Sequence, residues 1–116
     1  MIFKSLETMK INFRFMRLMV FFDLPTKTSE NRRNYRKFRK NLILTGFFML
    51  QESVYCRMVI NEAMAKSVVA KIETFKPPAG MICVMIVTEK QFAGISFIIG
   101  ENKTDVVTTD KSVVIL

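Results

Sequence analysis

Histidine is absent from this chain of 116 residues. Without it, the chain has no Ser-His-Asp or Cys-His arrangement for nucleophilic catalysis and no imidazole to act as a general base near neutral pH. Zinc bound by imidazole is excluded as well. Any hydrolysis by this chain would therefore rely on a divalent metal ion held by carboxylates.

Cysteines and long apolar runs are also scarce. The two cysteines, Cys56 and Cys83, lie in separate apolar runs without C-x-x-C spacing, which gives no indication of a metal cluster. We predict that both are small buried core residues of a cytosolic protein. No stretch approaches the roughly 20 apolar residues that span a bilayer, and the N-terminus is too charged to resemble a targeting signal. We therefore expect a soluble, cytoplasmic protein.

Acidic residues are too few to balance the basic ones, and the net charge is +8. Residues 27–40 carry seven basic side chains against one acidic side chain, Glu30, which gives +6 in fourteen residues. A solvated helix face usually mixes both signs of charge, so this block favours contact with the phosphate backbone of a nucleic acid, without base recognition. The candidate contacts are Arg32, Arg33, Arg36, Lys37, Arg39 and Lys40.

The first half of the chain predicts a strand followed by a helix. Residues 16–22 are apolar on both faces, which is typical of a central strand. A helix begins after Thr28 or Ser29 as N-cap and stops at Gly46. Its buried stripe is predicted to be Tyr35, Phe38 and Leu42.

The second half predicts a hairpin, a second helix and further strands. Residues 47–50 and 54–59 indicate the hairpin, and Asn61 caps the helix that follows. The apolar stripe of that helix is Met64, Val68, Ile72 and Phe75. Additional strands are predicted at 81–87, 95–99 and 113–116.

This order, β-α-β-β-α-β, predicts an α+β, ferredoxin-like fold with both helices on one face of an antiparallel sheet. The other face would carry large apolar residues, and a bare face of that kind is unfavourable in a monomer. We therefore expect a homodimer with two-fold symmetry, packed sheet against sheet. The residues that would form this face include Met19, Phe21, Met85 and Val87.

We divide the chain into an N-terminal extension (1–14), a ferredoxin-like domain (15–100) and a C-terminal tail strand (101–116). The apolar end of the tail is expected to pair either within the protein's own dimer or with the sheet of a partner.

Asp23 ends the first strand, directly before a turn that contains Pro25. An ionised carboxylate there is costly unless it is compensated, so Asp23 either caps the turn or binds a divalent metal beside a phosphate. One carboxylate is a poor Mg²⁺ site, and the metal would need both Asp23 residues of a dimer, phosphate oxygens and water. Glu30 and Glu52 are further candidates, each with an ordinary role at a helix start or a turn.

Several blocks in the same order resemble the CRISPR-associated Cas2 family. They are FMRLMVFFDLP at 15–25, YRKFRK at 35–40, GFFMLQESVY at 46–55 and TEKQF at 88–92, of which the last resembles the type II-A branch. The resemblance runs from Arg14 to about Gly100. It implies a homodimer that bridges dimers of the Cas-one integrase and binds duplex DNA during the acquisition of new spacers.

The same resemblance implies a second activity, a metal-dependent endonuclease acting on RNA or DNA. Asp23 would be the catalytic and metal-binding residue, with Mg²⁺ or Mn²⁺ as the cofactor. We expect the role in integration to be architectural, and we keep the endonuclease as the alternative. A free-standing ribonuclease toxin of similar architecture is a third hypothesis, against which the block at 88–92 argues.

Overall fold

A computed structural model describes residues 15–100 of the chain. Its elements are β1 (Met16–Asp23), α1 (Ser29–Leu44), β2 (Phe48–Gln51), β3 (Val54–Val59), α2 (Glu62–Thr74), β4 (Met81–Thr88) and α3 (Glu89–Ala93). The predicted extension at 1–14 and the tail strand at 113–116 lie outside the described residues. Within residues 15–100, no helix is long and apolar enough to cross a bilayer.

The four strands form one antiparallel sheet in the order β2-β3-β1-β4. The segment β1-α1-β2 and the segment β3-α2-β4 each skip one strand, as the ferredoxin-like topology requires. Strand β1 is central and pairs with β3 on one side and β4 on the other, as its apolar character predicts. The predicted fold class is confirmed.

Local capping explains where the two long helices begin. Thr28 is the N-cap of α1: its hydroxyl accepts a hydrogen bond from the Asn31 amide at 2.9 Å, and the Asn31 side chain accepts one from the Thr28 amide at 3.2 Å. Asn61 caps α2 by accepting from the Met64 amide at 2.7 Å. Such caps each stabilise a helix by about 1 kcal/mol.

The main core lies between the sheet and these two helices. Leu18, Val20 and Phe22 of β1 point into it, and the Phe22 ring lies 5.1 Å from that of Phe38 and 5.7 Å from that of Tyr55. The predicted helix stripes are confirmed at their centres, because Phe38, Leu42, Val68 and Ile72 are buried. The flanking members, Tyr35, Met64 and Phe75, are half-buried and pack against the same core.

The opposite face of the sheet is only partly covered. Near Arg17, the short helix α3 lies over it. The Arg17 guanidinium is buried, donates to the Glu89 carboxylate at 2.5 Å and stacks 4.4 Å from the centre of the Phe92 ring. Towards the other end of β1, Met81 and Met85 of β4 are 70% and 49% exposed. We call the sheet face opposite α1 and α2 the second face. Its uncovered part, formed by Phe21, Met81, Cys83 and Met85 around Asp23, is the open face.

The predicted strand at 95–99 is wrong. These residues form no strand, and Ile98 and Ile99 are 95% and 92% exposed. After β4 ends at Thr88, a capping box formed by Thr88 and Gln91 begins α3, and residues 95–99 pair with no strand of the described sheet.

The prediction that both cysteines are buried holds for Cys56 and is wrong for Cys83. Strand β4 is the last strand in the sheet order, and Cys83 pairs with Phe21 on the open face. An apolar run therefore became an edge strand with its side chains half in water.

Candidate nucleic-acid interface and metal site

Asp23 is the last residue of β1, and it is exposed. Alternate residues of a strand point to opposite faces, and Phe22 points into the core beneath the helices. Asp23 therefore lies on the second face, at the end of the sheet and next to the open face. A carboxylate here needs no buried partner, which removes the cost that made it unusual in the sequence.

Two turns flank Asp23. On one side Asp23 is paired with Met81, the first residue of β4, which follows Gly80. On the other side the Phe22 amide donates to the Ser53 carbonyl at 3.1 Å, which brings the β2–β3 turn against the end of β1. Sequence analysis did not assign Gly80 or Ser53 to the site. The glycine directly before a strand was an available signal for Gly80, whereas nothing in the sequence marked Ser53.

The acidic residues of one protomer do not assemble a metal site on their own. Within residues 15–100, no three or more His, Cys, Asp or Glu side chains are grouped in a way that could hold a metal ion. Glu30 lies in the first turn of α1 and Glu52 in the β2–β3 turn, each where its ordinary role predicts. Asp23 supplies the hard oxygen that Mg²⁺ prefers, but a complete shell needs ligands from outside the protomer.

The predicted basic residues form one face of α1. At 100° per residue, the six side chains fall within an arc of about 160°, opposite Phe38 and Leu42. All six residues are exposed, and within residues 15–100 none of them lies within ion-pair distance of an acidic side chain. We call Arg32, Arg33, Arg36, Lys37, Arg39 and Lys40 the basic face.

Two members of the basic face have structural contacts as well. The Arg32 guanidinium donates to the carbonyls of Thr26 and Lys27, both at 3.1 Å, and holds the loop that follows β1. Arg39 donates to the hydroxyl of Tyr55 at 2.7 Å, and the Tyr55 side chain is only 1% exposed. The remaining four side chains, Arg33, Arg36, Lys37 and Lys40, form no comparable contact with another described residue.

The structure does not bring Asp23 and the basic face together within one protomer. Helix α1 packs on one face of the sheet, whereas Asp23 lies on the other. They are joined by the loop 24–28, whose carbonyls Arg32 holds. The protomer thus presents two separate features, a cationic surface suited to phosphates and an exposed carboxylate beside an apolar surface.

The buried cysteine, Cys56, does not add a reactive thiol to these two features. Burial raises the pKa of the Cys56 thiol to about 11, and the nearby Arg17 guanidinium opposes this shift only in part. Cys56 is therefore a neutral thiol at physiological pH and a poor nucleophile.

Comparison with known proteins identifies the family of the chain. The model of the family described as "CRISPR associated protein Cas2" matches residues 16–95. Among similar proteins is one from Treponema denticola, 52% identical over 101 residues, which cover 87% of this chain and all of that protein. One from Ligilactobacillus salivarius is 46% identical over the same shares of the two chains. One from Streptococcus mutans is 41% identical and covers 87% of this chain and 93% of that protein.

Each of these relatives carries the name "CRISPR-associated endoribonuclease Cas2". A solved structure described as "Crystal structure of cas2" aligns with a TM-score of 0.54 at 18% identity, over 78% of this chain and 92% of that chain, and supports the fold. The matches do not specify the predicted type II-A branch. The relatives from Ligilactobacillus salivarius and Streptococcus mutans are compatible with it. The family match covers the strand ending in Asp23, the basic face and the whole sheet, and the chain belongs to the CRISPR-associated Cas2 family.

Proposed function

We propose that the chain is a homodimeric subunit of the CRISPR spacer-acquisition machinery, which binds duplex DNA and bridges dimers of the Cas-one integrase. The observation that carries the proposal is the basic face of α1, six exposed cations without an acidic partner within residues 15–100. The bridging role follows from the family resemblance. The architecture suits a component that must accept any captured sequence, because cations contact phosphates without reading bases.

The open face supports the homodimer. Met81 and Met85 are large apolar side chains left in water, and they continue the apolar surface of Phe21 on the neighbouring strand. A second copy of the same surface is the natural occupant, since a two-fold contact pairs one patch with itself. Association through this surface would remove apolar side chains from water, which favours the dimer.

The dimer would also enlarge the phosphate-binding surface. From Arg32 to Lys40 the helix rises about 12 Å, which matches only three or four base pairs of a duplex. Two copies related by a two-fold axis present two such surfaces. Four free cations per protomer predict a slope of log affinity against log salt of about −7 for the dimer.

Charge reversal on the basic face tests the proposal. The variant Arg33→Glu/Arg36→Glu avoids the two arginines with structural contacts. We expect binding of a short duplex to fall at least tenfold at moderate salt, and the salt slope to become shallower. The measurement is a fluorescence-anisotropy titration at several salt concentrations, followed by spacer integration with purified Cas-one integrase.

The matched control is Lys66→Glu/Lys71→Glu on α2, which makes the same change in charge on the other helix. We expect it to lower affinity far less. Equal losses for the two variants would mean that net charge, and not the basic face, binds the duplex.

We also propose a second function, a metal-dependent endoribonuclease, which the exposed Asp23 carboxylate and the name of the relatives favour. In the dimer, the Asp23 residues of both protomers would hold Mg²⁺ or Mn²⁺ beside an RNA phosphate. A bound divalent ion supplies polarisation of the phosphate and activation of water. Asp23 would contribute the hard oxygen ligand.

The variant Asp23→Asn tests this second function. We expect cleavage of RNA in Mg²⁺ to be lost while duplex binding and the melting temperature stay unchanged. Glu52→Gln, which alters a carboxylate in the neighbouring turn, is the control and should cleave like wild type. Cleavage that survives in Asp23→Asn would rule out Asp23 as the ligand. Integration that survives in the same variant would keep the architectural role.

A further inference from the structure

The residues on either side of Asp23 share an uncommon backbone conformation. Ser53 has φ +70°, and among the non-glycine residues of 15–100 it alone has a positive φ. Gly80, on the other flank, has φ +109°. Side chains other than glycine adopt positive φ at a cost of about 1 kcal/mol or more. Such conformations persist where the surrounding structure fixes them. Here Gly80 adjoins Asp23 itself, and Ser53 contacts the residue before it, Phe22.

Gly80 is in direct contact with the backbone of Asp23. A Cβ at position 80 would lie 2.8 Å from the Asp23 carbonyl oxygen, 2.6 Å from Leu24 Cδ2 and 3.2 Å from Leu24 Cα. Two of these three atoms belong to the backbone, and the third belongs to the Leu24 side chain, which is buried in the core. None of them can therefore move aside without a shift of the end of β1. The space beside Asp23 therefore accepts only a glycine.

Ser53 holds the opposite flank by a hydrogen bond. Its carbonyl accepts from the Phe22 amide at 3.1 Å, one residue before Asp23, and so continues the ladder between β1 and β3. The left-handed conformation at Ser53 turns the chain back within the two-residue connection from Gln51 to Val54. A β-branched side chain at this φ is strongly unfavourable and would open the turn.

We propose that Gly80 and Ser53 are positioning residues, which fix the backbone of Asp23 so that its carboxylate projects in one direction from the end of β1. The proposal rests on the proposed metal-dependent function, because the direction of the carboxylate matters only if Asp23 binds a metal ion. Each protomer offers the metal one carboxylate. If that carboxylate is displaced, no acidic cluster within residues 15–100 can replace it as a ligand. Small shifts of β1 should therefore act on metal binding more than on folding.

Gly46 supplies a matched control for Gly80. It also has a positive φ, +100°, but a Cβ there would meet only the guanidinium of Arg57, at 3.1 Å from Nη1. That group donates to the Thr45 carbonyl at 2.7 Å, but it is the end of a long side chain and can yield without a shift of β1. Gly46→Ala and Gly80→Ala thus impose similar backbone strain, and only the second pushes on Asp23.

The experiment uses the full chain and Mn²⁺ alone as the probe. Binding is read by water-proton relaxation, the geometry of the strand end by the amide resonances of Asp23 and Leu24, and folding by the melting temperature. We expect Gly80→Ala to move both resonances and to weaken Mn²⁺ binding at least tenfold relative to Gly46→Ala. If Gly80→Ala folds poorly, the pair Ser53→Gly and Ser53→Val replaces it, with weakened binding expected only for Ser53→Val.

Two different results would overturn the proposal. Resonances and Mn²⁺ affinity that match between Gly80→Ala and Gly46→Ala would show that Gly80 does not position Asp23. Wild-type Mn²⁺ binding no tighter than that of Asp23→Asn would instead remove the metal function itself, and with it any purpose for the positioning. The first result leaves the proposed endoribonuclease standing, whereas the second does not.

Discussion

The two faces of the sheet bury their side chains in different ways. On the face beneath α1 and α2, Leu18 and Val20 are completely buried, and aromatic rings fill the space between sheet and helices. On the other face, α3 covers the end at Arg17, while Met81 and Met85 remain exposed around Asp23. The first face supplies the stability of the protomer. The second leaves an apolar surface exposed next to Asp23, and the proposed dimer would cover it.

The largest effect is expected from truncation of a side chain in the core, which tests whether the helix-covered face supplies the stability. Phe38 is 1% exposed and packs against Phe22 and Phe75. Phe38→Ala should lower the free energy of unfolding by about 3–5 kcal/mol, because it removes a buried ring and leaves a cavity. Leu44→Ala, at a residue of the same helix that is 72% exposed, is the control and should change stability by less than about 0.5 kcal/mol. Urea denaturation measures both, and similar values for the two variants would contradict the division.

A second test addresses the small part of the second face that α3 covers. Arg17→Met should cost about 1–2 kcal/mol, since the buried guanidinium lies over Phe92 and pairs with a Glu89 side chain that is partly exposed. The surface pair Lys76–Glu73, at 3.6 Å and with both side chains more than 60% exposed, offers the control Lys76→Met. That control should be nearly neutral. Hydrogen exchange at α3 should rise only in Arg17→Met, and an unchanged α3 would mean that other contacts hold it.

Local patterns predicted the helix face well because its determinants are local. The period of 3.6 residues identified Phe38 and Leu42, and single capping residues marked where each helix begins. The strand predicted at 95–99 failed because these residues follow α3 and pair with no strand of the described sheet, although the apolar pattern alone favoured a strand. The exposure of Cys83 follows from the position of β4 at the edge of the sheet, which depends on topology and not on neighbouring residues.

The candidate site also contains features that local sequence patterns predict and features that depend on the topology. The place of Asp23 at a strand end and the single face formed by the basic residues both follow from sequence periodicity. The contacts that distinguish Arg32 and Arg39 from the other cations join residues of different elements or of the preceding loop. Gly80 became relevant only when β4 was paired with β1, because its contact with Asp23 crosses 57 positions of the sequence.

The two cysteines lie in the covered and the uncovered part of the second face, and labelling them tests each part. Cys56 is buried, and burial raises its pKa to about 11, so it should resist iodoacetamide at pH 8 until the protein unfolds. Cys83 lies on the open face and should be labelled rapidly in dilute protein. If a second copy covers this face, labelling of Cys83 should slow as protein concentration rises, with Met85→Asp as the control that keeps it fast at every concentration. Concentration-independent labelling of wild-type Cys83, measured by mass spectrometry alongside sedimentation, would place the association surface elsewhere on the molecule.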